Sequence, residues 1–118
     1  LTELRAASRA ELELLEVLLT RDFPGATQLL AQLSGLEVAV VDDDGSLSLR
    51  SHAGSKAESV TRRVVTEGQY PDGDGQPVHV LLHVLDGRLH ELEFFREDGR
   101  TVMQRLPAHL QDFVPDPW

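Results

Sequence analysis

The feature that most constrains this chain is a repeated ending. Three alternating apolar segments each stop at Asp followed by Gly, in Asp43-Asp44-Gly45, Leu85-Asp86-Gly87 and Glu97-Asp98-Gly99, and each is followed by Ser or Arg. In an extended chain every second side chain shares a face, and Asp-Gly supplies the left-handed backbone that a tight antiparallel reversal needs. From Leu36 onward the chain therefore reads as strands joined by hairpins.

The loop length at each reversal follows from asking which register collects apolar side chains on one face. Around Gly87, a two-residue loop would set Val80 and Leu82 against Glu93 and Glu91. That register buries carboxylates, at a cost on the order of several kcal/mol. A three-residue loop with a bulged glycine pairs Val84 with Arg88, Leu82 with His90, Val80 with Leu92 and Val78 with Phe94. It sets His79 opposite Glu93 and Leu81 opposite Glu91, so the outer face carries His79, Leu81, His83, Leu89, Glu91 and Glu93. The same rule puts Ala39, Val41, Leu47 and Leu49 together at Gly45, and pairs Phe94 with Val102 at Gly99. Residues 52–58 read as a loop, Val60 to Glu67 as a strand, and residues 71–77 as a mobile acidic turn.

Ahead of the strands the period lengthens to about 3.6 residues. Leu4, Ala7, Leu12, Leu15 and Leu19, joined by Leu14 and Leu18, mark an amphipathic helix from Thr2 to about Thr20, with Glu13 and Glu16 opposite. Ser8 and Glu11 form a capping-box pattern that would start the regular part later. Asp22 as N-cap and Pro24 in the first turn launch a second helix carrying Ala26, Leu29, Leu30 and Leu33, which Gly35 ends. The fold expected is α+β: two N-terminal helices packed on one face of a mainly antiparallel meander sheet of about five or six strands. Residues 1–118 are read as a single domain, with a helical hairpin over 1–35, sheet over 36–106 and a C-terminal tail over 107–118. Phe113 and Trp118 of that tail are rival covers for the outer sheet face.

The segments FPG (23–25), LLAQL (29–33), DDGSLSL (43–49), VHVLLHVLDGRLHELEFF (78–95) and REDG (96–99) together resemble a family of small bacterial proteins known only as a domain of unknown function. The resemblance implies helices followed by an antiparallel meander. It implies no activity, ligand or catalytic residue.

Charge narrows the partners. Twenty acidic residues stand against 11 basic ones, a net charge of -9, which would repel nucleic acid or an anionic membrane and suit a basic protein. The chain contains no cysteine, so thiolate chemistry and sulfur-ligated zinc are excluded. Apolar runs stay far below the roughly 20 residues of a membrane span, and a cytoplasmic location is expected.

Several constellations could carry chemistry. His79 with Glu93 and Glu91 could hold a divalent metal, and the competing reading is a solvated cross-strand pair. His83 shares their face but lies about 13 Å of strand from His79, too far for one ion. His90 is expected at the rim of the core. Glu91 and Glu93, about 6.6 Å apart, lack the aromatic platform a glycosidase needs. Asp42-Asp43-Asp44-Gly45 and Asp72-Gly73-Asp74-Gly75 fail the calcium-loop template and read as turns. Arg62 and Arg63 with Arg50 are the main basic concentration. No phosphate, dinucleotide or nucleophile-elbow motif occurs.

The reading that follows is a non-enzymatic interaction domain, immunity-like or regulatory, that shows an acidic surface to a basic protein and requires no cofactor. A small-ligand or metal-binding module using the outer sheet face is second, and a small enzyme third. Association of two copies through the outer face is the alternative to a foreign partner.

Overall fold

A computed structural model describes residues 3–117. Extended residues come first: β1 (Arg5–Ala6) precedes α1 (Arg9–Leu19), α2 (Ala26–Ala31), β2 (Glu37–Val40), β3 (Leu47–Arg50), β4 (Val64–Pro71), β5 (Pro77–Leu85) and β6 (Arg88–Phe95). A short 3-10 turn (Leu110–Asp112) and β7 (Val114–Pro115) end the chain. Over the described residues the fold is α+β, with two helices and an antiparallel sheet of seven strands rather than five or six, in the order β1-β2-β3-β6-β5-β4-β7. The order is no simple meander. After β3 the chain crosses to the far side, lays down β4, β5 and β6, and brings β6 back against β3.

The first helix starts at its capping box. Ser8 accepts from the backbone N–H of Glu11, and the Glu11 carboxylate accepts from the backbone N–H of Ser8. The same carboxylate takes two bonds from the Arg5 guanidinium, at 2.8 and 2.7 Å. Residues before Ser8 are thereby held extended, with Arg5 opposite Val38 and Ala6 opposite Glu37, so the helix does not reach back to Thr2. Leu14, Leu15, Leu18 and Leu19 are buried and share one core cluster with Leu29, Leu33, Val38, Val78, Val80, Leu82, Leu92 and Phe94. The second helix is capped by Gly25 in a left-handed conformation rather than by Asp22.

The three reversals adopt three different geometries. At Gly45 the chain makes a four-residue loop, since the Val41 N–H donates to Ser46 O, and β2 pairs Val38 with Leu49 and Val40 with Leu47. Val38 therefore faces the core, not Ala39 or Val41, and Val41 is exposed. At Gly87 the turn has two residues, Asp86 (φ 52) and Gly87 (φ 71), both left-handed as a type I′ turn demands. The extra residue lies beyond it: Val84 pairs with Leu89, His83 with Glu91, Leu82 with Leu92 and Val80 with Phe94, which leaves His90 as the bulge. At Gly99 no hairpin forms. Val102 is buried, but residues 100–106 run irregularly across the sheet end.

Three polar side chains explain why those irregular parts are fixed. Gln32, fully buried, donates to Ser55 O and Gly87 O and accepts from the Leu89 N–H. It ties the end of α2 to the loop over 52–58 and to the β5–β6 turn. Ser46 Oγ accepts from the Phe94 N–H at 3.0 Å, joining β3 to β6. Asp72, buried at the β4–β5 turn, accepts from the N–H groups of Gly73, Met103 and Gln104 and from Arg96. The turn over 71–77 is thus anchored from inside, and the strand before it runs over Val64–Pro71 rather than 60–67.

The tail takes the side opposite to one expectation. Gly68 on β4 pairs with Val80 and shares its core-facing side, and a Cβ built there would lie 2.4 Å from Phe113. Phe113 fills that space, and Val114–Pro115 then extend the sheet edge along β4. The described tail therefore does not cover the outer face; Trp118 lies outside the described residues.

Candidate functional site

The outer face is made of the residues that alternate with the core. Glu91, Glu93 and Phe95 on β6 stand beside His79, Leu81 and His83 on β5, all partly buried. Ser48 and Arg50 on β3 continue it on one side, and Glu67 and Gln69 on β4 on the other. The bulge at His90 determines what meets what. Had the extra residue lain in the turn, Leu89 would have pointed outward and His90 inward. With it at His90, Leu89 joins Val84 in the core and His90 is only partly buried. Leu89 is therefore removed from the expected site.

The bulge also changes the histidine that meets the glutamates. His79 lies opposite Phe95, stacks on its ring at 5.2 Å between centroids, and its Nε2 lies 3.1 Å from Glu97. His83 takes the place expected for His79. Its Nε2 is 2.7 Å from Glu93 Oε1, while its Nδ1 accepts from Arg63 Nε at 3.2 Å. An arginine N–H only donates, so this assigns the ring proton to Nε2, which donates to Glu93. Glu91 lies directly across from His83, and one ligand atom from each of His83, Glu91 and Glu93 falls within 4.8 Å of the others. Sequence reasoning placed all three on this face but chose the wrong histidine as their centre.

A second charged cluster, which sequence reasoning missed, closes the other end of β5 and β6. Arg96 pairs with Asp72 at 3.0 Å, Asp74 at 2.9 Å and Asp98 at 2.6 Å, and the Arg96 and Asp72 side chains are almost wholly enclosed. Burial alone would push the Asp72 carboxyl up, but the N–H groups of Met103, Gly73 and Gln104, with the Arg96 guanidinium, outweigh it and hold it below the usual carboxylate range. The hydrogen bonds that Arg96 donates to Asp98 and Asp74 raise it further above its already high value. Tyr70 is pushed up by burial and by the Asp72 charge, and its hydroxyl donates to Gln104 O. Arg96, Asp72 and Tyr70 are thus satisfied within the protein. The signal available beforehand was an arginine followed two residues later by Asp-Gly, close to an acidic hairpin.

Beside the β5–β6 turn, a cleft of about 440 Å³ mixes Lys56, Arg62 and Arg63 with Glu58 and Asp86. Lys56 pairs there with Asp86 at 2.9 Å and Arg63 is engaged by His83, so the cleft offers no unopposed cationic cradle. His52 and His109 are exposed in irregular segments. Among the described residues no helix is long and apolar enough to cross a membrane.

This architecture defines a small α+β protein whose antiparallel sheet buries one side and leaves charged and aromatic residues on the other. The chain belongs to the family described as a domain of unknown function (DUF6984), whose model matches residues 4–106. No curated protein and no solved structure matches it.

Proposed function

We propose that this chain is a non-enzymatic interaction module whose outer sheet face receives a basic protein. The observation that carries the reading is the charge of that face. Glu37, Glu67, Glu91 and Glu93 stand on positions that alternate with the core, against Arg50, the Arg63 that reaches His83, and Arg88, whose guanidinium is taken up by Ala53 O and Gly54 O. Leu81 and the stacked His79–Phe95 pair supply apolar area between them. A flat acidic field with an aromatic centre suits a partner presenting Arg or Lys around an apolar patch, and the net charge of -9 would hasten encounter at low salt. The described part of the tail, turned to the core side by Phe113, leaves the face open to such a partner.

The test compares two double charge reversals of equal size. Glu91→Lys with Glu93→Lys should abolish salt-sensitive co-purification of a basic protein, whereas Glu16→Lys with Glu58→Lys, away from the face, should preserve it. Equal loss in both variants, or a partner that is not basic, rules this reading out. Sedimentation of the purified chain separates a foreign partner from a second copy: concentration-dependent dimerisation abolished by the first reversal assigns the face to self-association.

A further inference from the structure

We propose that His83, Glu91 and Glu93 form a site for a divalent first-row cation of the zinc class, held closed by Arg63. The proposal concerns the isolated chain and does not depend on any protein docking to the same face.

Convergence is the first argument. Successive same-face residues on a regular strand stand about 6.6 Å apart, but the ligand atoms of Glu91, Glu93 and His83 fall within 4.8 Å of one another. An ion about 2.1 Å from each donor needs them roughly 3 to 4 Å apart, so small rotations of partly exposed glutamates suffice. The bulge at His90 is the cause, because it sets Glu91 opposite His83 while Leu92 and Phe94 stay on the core side. One imidazole nitrogen and two carboxylate oxygens form a donor set of the kind zinc accepts, with water completing the shell.

Electrostatics is the second. Glu93 is satisfied by the His83 N–H, but the Glu91 side chain makes no hydrogen bond or ion pair among the described residues, although it is partly buried beside another carboxylate. A dication between the two carboxylates would remove that repulsion. Arg63 works against it. By donating to Nδ1 it keeps the ring proton on Nε2, the nitrogen that faces the carboxylates and that a metal would need. Metal binding moves this proton to Nδ1 with no net release, which leaves the Arg63 N–H facing another N–H and a second cation near the ion.

Zn²⁺ titration of the full chain by calorimetry, with Zn²⁺-dependent thermal shift alongside, tests both parts. His83→Ala and Glu93→Gln should each weaken binding tenfold or more, and Arg63→Ala should tighten it tenfold or more. These positions are partly exposed, so all three variants should fold, and the thermal scans without metal verify it. Imidazole nitrogen NMR should show the His83 proton on Nε2 without metal and on Nδ1 with Zn²⁺. The proposal is overturned by Zn²⁺ binding that survives His83→Ala, by an Arg63→Ala variant that binds no more tightly than the parent, or by a metal-free ring protonated on Nδ1.

Discussion

Two charged clusters sit at opposite ends of β5 and β6, and in each the carboxylates outnumber the cations. Around Arg96, three aspartates meet one guanidinium; around His83, two glutamates meet an imidazole and the single arginine behind it. What separates them is the backbone. Five main-chain N–H groups, from Gly73, Gln76, Arg100, Met103 and Gln104, donate into the Arg96 cluster and absorb its surplus negative charge. Among the described residues no main-chain donor reaches the Glu91 or Glu93 carboxylate, because strand N–H groups lie in the plane of the sheet while these side chains stand off its face. Excess carboxylate near turns is therefore taken up by the fold, whereas on a regular sheet face it stays available to an incoming cation or a basic surface.

The largest break in this comparison should come from Arg96→Ala. It would strand an enclosed Asp72 and release residues 100–104, lowering Tm by on the order of 10 °C or more in calorimetry. Next comes Leu89→Ala, which tests the bulge that built the other cluster. A leucine in the core should lose about 2 to 4 kcal/mol in denaturant unfolding, whereas Leu81→Ala on the outer face should cost less than about 1 kcal/mol. Acid should also act on the cluster around Arg96. Asp72 is held below its unfolded value, so its contribution is complete above about pH 4 and is lost as pH falls from there through the lower folded value. The acid limb of the stability curve should therefore flatten in Asp72→Asn. The smallest effect is His83→Ala, expected within about 1 kcal/mol of the parent because its bonds lie at a half-solvated surface.

The same contrast explains what could be read in advance. The apolar parity of β5 and β6 was legible: Val78, Val80, Leu82, Leu92 and Phe94 are buried as alternation demands. Where the extra residue sits was not, because a bulge in the turn and a bulge at His90 give the same parity beyond it. Leu89 held the missing clue, since it stands three residues from Leu92, out of phase with a regular strand. Leu85-Asp86-Gly87 is also the signal for a two-residue type I′ turn, which conflicts with parity only if the strands stay regular. The first helix followed its Ser8–Glu11 capping box and its leucine pattern, because those are local, whereas the second took Gly25 rather than Asp22 as its cap. Asp72 and Arg96 are 24 residues apart and meet only once the sheet forms, so no local pattern announces them.

At both margins the sheet ends on a strand of two residues, β1 against β2 and β7 against β4. An incoming chain seeking to continue the ladder would find a template only a few bonds long, one side with a proline in it and the other pinned by an arginine-to-helix clamp. Edge addition is thereby disfavoured where these two short strands lie, at the margins where an antiparallel sheet is most open to it.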